Sequence, residues 1–140
     1  GTKNRVVKTK NYDDRLMYCY ESMMPVFSDM GEGVLDEYGK CIVYLDDVFA
    51  ETVDTGSTYQ VYLQSYGEGD CWISERNANY FIVQGTKGLT FSWEIKAIQR
   101  GYVNVRSERL KKEEHNIDYA QYTSDYLKDC LYSVESEDFI

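Results

Sequence analysis

The feature that most constrains this chain is a run of short segments rich in Val, Ile, Tyr and Trp, separated by glycine-bearing turns. Residues 4–8, 15–21, 40–45, 58–65, 71–74, 80–84 and 89–98 read as strands. Between them lie Gly31-Glu32-Gly33, Tyr38-Gly39, Asp54-Thr55-Gly56, Gly67-Glu68-Gly69-Asp70 and Gly85-Thr86-Lys87-Gly88, all read as turns. Regular spacing of this kind predicts a mostly β fold, an antiparallel β-sandwich or jelly-roll-like barrel. No segment before residue 105 has the length and 3.6-residue period of a helix between strands, which argues against a βαβ fold.

The alternation within the strands is unusual. Cys41, Val43 and Leu45 share one face of their segment, yet Ile42 and Tyr44 stand on the other. In residues 59–65, Tyr59, Val61 and Leu63 oppose Gln60, Tyr62 and Gln64. A sheet open to water on one side alternates more cleanly. The second faces therefore call for cover by the C-terminal tail, a partner subunit or a ligand, unless tyrosine is tolerated half-exposed.

From about residue 106 the character changes, dividing the chain into a β domain of residues 1–105 and a charged, tyrosine-rich tail of 106–140. Tyr119, Tyr122, Tyr126 and Cys130 follow one another at spacings of three and four. That period predicts a C-terminal amphipathic helix over residues 118–132, capped by Asp118. The first residue is Gly1 rather than methionine, and the natural protein is expected to begin upstream.

Charge and cysteines narrow the partners. A formal net charge of −9 repels phosphate, so nucleic acid is not expected as a partner. No apolar run approaches the roughly 18 residues of a membrane helix, and no membrane insertion is expected. The four cysteines, Cys19, Cys41, Cys71 and Cys130, include no Cys-x-x-Cys pair, so no zinc or other metal is expected. The first three read as small buried hydrophobes, with a disulfide between two of them left open.

Catalytic chemistry has little to work with, and the chain is not expected to be an enzyme or to need a cofactor. His115 is the only histidine and lies in a charged run, a poor setting for the base of a Ser-His or Cys-His system. The Gly-Glu-Gly turns are too acidic to cradle phosphate. Carboxylates are abundant, and a pair including Glu94 or Asp47 would be the minimum for a polysaccharide hydrolase. Glu94 reads more simply as a partner of Lys96, Lys40 or the backbone. Asp46, Asp47 and Glu51 could ligate calcium, but their spacing matches no EF-hand loop.

Aromatic residues make up 15% of the chain, enough to build either a sugar-stacking surface or a subunit interface. Trp72, Tyr62 and Tyr66 are the candidate ligand-binding residues. Ile42, Tyr44, Tyr119, Tyr122 and Tyr126 are the candidate interface residues.

Several motifs recur in order: Phe27-Ser28-Asp29-Met30-Gly31-Glu32-Gly33, Tyr44-Leu45-Asp46-Asp47-Val48-Phe49, Gly67-Glu68-Gly69-Asp70-Cys71-Trp72 and Phe91-Ser92-Trp93-Glu94. With Arg5-Val6-Val7-Lys8-Thr9 ahead of them, they make residues 3–103 resemble a β-rich C-terminal domain of phage and prophage tail-fibre or minor structural proteins. The resemblance implies a non-catalytic distal module of a homotrimeric fibre, used for assembly, capping or recognition of a cell-surface glycan or host receptor. It implies a place in the virion tail, extracellular after assembly in the bacterial cytoplasm. A monomeric carbohydrate-binding module is the alternative, and a carboxylate-dependent hydrolase a more distant one.

Overall fold

A computed structural model describes residues 3–110 of the chain. The described residues up to Ser107 form one compact unit, and a second unit begins at Glu108. The helix expected over residues 118–132, with Tyr119, Tyr122 and Tyr126, lies outside the described residues, as does His115.

The described part is mostly β, and every sheet is antiparallel. β1 (Asn4–Lys8) and β2 (Asp14–Tyr18) form a two-stranded hairpin. β3 (Val26–Val34), β8 (Thr90–Ile98) and β5 (Gln60–Tyr66) form one three-stranded sheet with β8 central. β4 (Lys40–Tyr44), β7 (Tyr80–Gly85) and β6 (Cys71–Arg76) form another with β7 central. Only β6 departs from regular register, with a bulge between Ile73 and Glu75.

The two three-stranded sheets share one core. Phe91, Ile95 and Ala97 of β8 are buried with Phe81 and Val83 of β7, alongside Leu35, Leu45, Val53, Tyr59 and Leu89. The Phe81 and Trp93 rings meet edge-on at 5.4 Å, the geometry favoured by the aromatic quadrupole. Chain crossings between the sheets run from β3 to β4, from β4 to β5, from β5 to β6 and from β7 to β8. The first, third and last of these corners are tied together. The Gly85 N–H donates to the Gly39 carbonyl (2.9 Å), and the Thr86 N–H donates to the Asp70 carbonyl (3.0 Å). Such close backbone approach needs glycine: a Cβ on Gly39 would overlap the Gly85 carbonyl, and Gly39 adopts φ 71°.

Two elements differ from the sequence reading. Gly31-Glu32-Gly33 is not a turn but lies within β3, a strand the sequence did not suggest. The register explains it. Gly31 stands opposite Trp93, and Gly33 opposite Phe91. A Cβ on Gly31 would lie 2.7 Å from Trp93 Cζ2, and one on Gly33 would lie 2.6 Å from Phe91 Cζ. The rings occupy the space a side chain would take, and their burial offsets the poor strand propensity of glycine. The second difference is a short helix, α1 (Asp47–Thr52). At six residues it is too short for a periodic pattern, and its start is fixed by Asp46, whose carboxylate accepts from the Phe49 N–H (2.9 Å).

Candidate functional site

Directly opposed residues in an antiparallel sheet share a face, so the register assigns each candidate residue to a surface. The alternation expected for β4 and β5 is present. Val61 and Leu63 pack against the core, as do Cys41 and Val43, while Tyr62 and Tyr66 point outward and are exposed. Ile42 and Tyr44 are exposed on the outer side of β4.

The candidates divide between two surfaces. Tyr62 and Tyr66 belong to β5, on the outer face of the β3–β8–β5 sheet. Trp72 belongs to β6, on the outer face of the other sheet, where it opposes Gln84. Ile42 opposes Ile82 and Tyr44 opposes Tyr80 on that same face, with the two tyrosine rings edge-on at 5.6 Å. Trp72 therefore groups with the interface candidates Ile42 and Tyr44, not with Tyr62 and Tyr66. Strand parity was readable in the sequence, but the pairing of β5 with β8 and of β6 with β7 was not.

The outer face of the β3–β8–β5 sheet is the richer surface in polar chemistry. Across it Met30, Glu94 and Tyr62 form one row, and Glu32, Ser92 and Gln64 the next. The Tyr66 hydroxyl and Ser92 Oγ are hydrogen-bonded at 3.0 Å. Glu94 pairs with Lys96 at 3.5 Å along β8, one of the partners expected for it. Tyr20, which the sequence reading did not single out, reaches this face from the segment after the hairpin, and the Lys96 ammonium lies 5.7 Å from its ring centre. Tyr20, Met24, Ser28, Gln60, Tyr62 and Lys96 line a groove of about 540 Å³. That volume, with aromatic walls and amide, hydroxyl and ammonium groups, falls in the usual range of small-ligand sites.

Other carboxylates have local structural roles. Asp36 Oδ1 accepts from the Tyr38 and Lys40 N–H groups in the β3–β4 turn, and Asp54 Oδ1 accepts from those of Gly56 and Ser57. Asp46, weighed as a calcium ligand, caps α1, and Asp47 lies in its first turn. No charged side chain is buried among the described residues, so a catalytic carboxylate among them would act from a solvated position. No cluster of metal-ligating residues occurs among them either.

The cysteines divide too. Cys41 and Cys71 are half-buried toward the core, and burial pushes both thiols up from their ordinary range. Cys19, expected to be buried, is exposed just past β2. The reason is that the hairpin carrying it turns neither face to the core. These three are free thiols.

The hairpin exposes apolar side chains on both of its faces. All of β2 and all of β1 except Val7 are exposed, including Val6 (61%), Leu16 (52%) and Met17 (56%). Its tip is held locally: the Thr9 hydroxyl donates to the Asp13 carbonyl (2.7 Å) and accepts from the Tyr12 N–H (3.0 Å). Comparison with protein-family models, with curated proteins and with solved structures finds no match.

Proposed function

We propose that this chain is a non-catalytic assembly and binding module whose sheet pair is a β-sandwich and whose working form is a homotrimer. The observation that carries the reading is the β1–β2 hairpin, with Val6, Leu16 and Met17 in water. A lone two-stranded hairpin is marginal at best, and an apolar surface of this kind usually marks a contact with another chain. Ile42 and Tyr44, with Trp72 nearby on the outer face of the second sheet, add apolar surface that the core does not use. The place of such a module at the distal end of a phage or prophage tail fibre is supported by the ordered sequence motifs alone. Sedimentation equilibrium tests the reading. A mass three times the 16.4 kDa of the chain is expected, and the monomer mass at every concentration up to the millimolar range refutes it.

A second reading, recognition of a cell-surface glycan, is favoured by the groove between Tyr20 and Tyr62. Stacking on the rings, with hydrogen bonds from Gln60 and Ser28, suits a sugar. A glycan array tests it: binding lost in Tyr62→Ala supports this reading, and a blank array removes it.

A further inference from the structure

Charge is unevenly divided along the chain. Its formal net charge is −9, yet the hairpin region carries Lys3, Arg5, Lys8, Lys10 and Arg15 against only Asp13 and Asp14. The hairpin is therefore a basic arm on an acidic protein. Its two faces differ as well. Arg5 opposes Met17 and Val7 opposes Arg15, giving one face two arginines around two apolar side chains. The other face joins Val6 to Leu16 and Asn4 to Tyr18, and its Lys8 is matched by Asp14, so charge selects no partner for it.

The outer face of the β3–β8–β5 sheet carries the complementary pattern. Met30, 77% exposed, stands beside Glu94 and Tyr62, with Glu32 in the adjacent row; Lys96, 3.5 Å from Glu94, is the one cation on this face among the described residues, and Glu32 has no such neighbour in its row. The other sheet's outer face presents Ile42 and Tyr44 with Lys40, and it lacks this pairing of acids with exposed apolar groups along its central strand.

We propose that the β1–β2 hairpin is an exchange arm, whose Arg5–Val7–Arg15–Met17 face docks on the Met30–Glu32–Tyr62–Glu94 surface of a second copy of this chain. This rests on the assembly reading above and names the contact that makes the assembly. Burial of Met17 and Val7 against Met30 and Tyr62 supplies the apolar part. Arginine against Glu32, and against Glu94 shared with its neighbour Lys96, sets the register and excludes the wrong face. Arm and acceptor are different surfaces, so the contact is heterologous, and such contacts close into a ring when the rotation permits. Three copies would each give one arm and receive one.

The test is sedimentation of the full chain at 50 mM and 500 mM salt, with variants confined to exposed side chains. Met17→Asp, Arg15→Glu and Glu32→Lys are each expected to weaken association by about tenfold or more, since like charges across an interface are costly. The double variant Arg15→Glu with Glu32→Lys is expected to regain most of that loss. Raising the salt is expected to weaken the wild type. If the wild type assembles and all three single variants match it, the arm proposal is overturned while the assembly reading stands. If each single variant weakens association but the charge swap restores nothing, the assigned acceptor face is wrong and the proposal fails. If the wild type is monomeric throughout, both fall.

Discussion

Replacing Gly33 with alanine probes why β3 is a strand at all. The added Cβ would lie 2.6 Å from Phe91 Cζ, 3.1 Å from Cε1 and 3.3 Å from Cys41 Sγ. Phe91 is fully buried, and its ring has no open side to turn into. Overpacking of this kind costs about 1–3 kcal/mol. Removing a glycine also restricts the unfolded chain, which returns about 0.4–1 kcal/mol. From the middle of each range the balance is a loss of about 1.3 kcal/mol, a fall of several degrees in Tm for a domain of this size. Glu37→Ala, at an exposed position in the turn after β3, should stay within about 0.5 kcal/mol of the parent. Phe91→Leu removes the ring atoms that the Cβ meets. The double variant should therefore be more stable than the sum of the two single losses by about 0.5 kcal/mol or more. Urea unfolding of the four proteins measures the cycle. A Gly33→Ala protein as stable as the parent, or an additive cycle, would refute the claim that glycine is there to admit the ring.

Other outcomes follow from the same structure. Tyr59 is buried, and its hydroxyl donates to the Asn77 carbonyl (2.8 Å), with the Tyr80 carbonyl also in reach (3.0 Å), so Tyr59→Phe should cost about 1–2 kcal/mol in urea unfolding at neutral pH. Burial raises the Tyr59 pKa above its ordinary 10.0. The folded state then holds this proton more tightly than the unfolded chain, so stability falls as pH rises above about 10, and the fall should be shallower in Tyr59→Phe. Asp46→Ala should destabilise by about 1 kcal/mol through loss of the α1 cap, seen as a lower Tm by calorimetry. Iodoacetamide should modify Cys19 well before Cys41 or Cys71, because burial raises both of those thiols and limits access to them; peptide mapping by mass spectrometry reads the order.

What the sequence disclosed, and what it concealed, follows from the range of each interaction. Side-chain alternation is local, so the inward set of β4 and β5 was legible from period two alone. β3 was not, because Gly31 and Gly33 owe their place to Trp93 and Phe91, some sixty residues away in the chain. α1 was missed because its signal is a single cap. Aromatic content nominates binding residues but says nothing about which strands share a sheet. The pairing of β6 with β7 and of β5 with β8 parted Trp72 from Tyr62 and Tyr66. Tyr20 lies past the end of its strand when it meets Lys96, a contact no local pattern encodes. Cys19 looked like a core residue because an apolar run in a hairpin reads the same whether or not anything covers it.

Cover of the hairpin by another copy of the chain can be measured. Hydrogen exchange of the β1 and β2 amides, followed by mass spectrometry across a thousandfold range of protein concentration, addresses it directly. Hairpin amides that are slow at high concentration and fast on dilution are the predicted result, while β7 and β8 remain slow throughout. Hairpin amides that exchange at one fast rate at every concentration would contradict it, since the apolar arm would then have no partner in another copy of the chain.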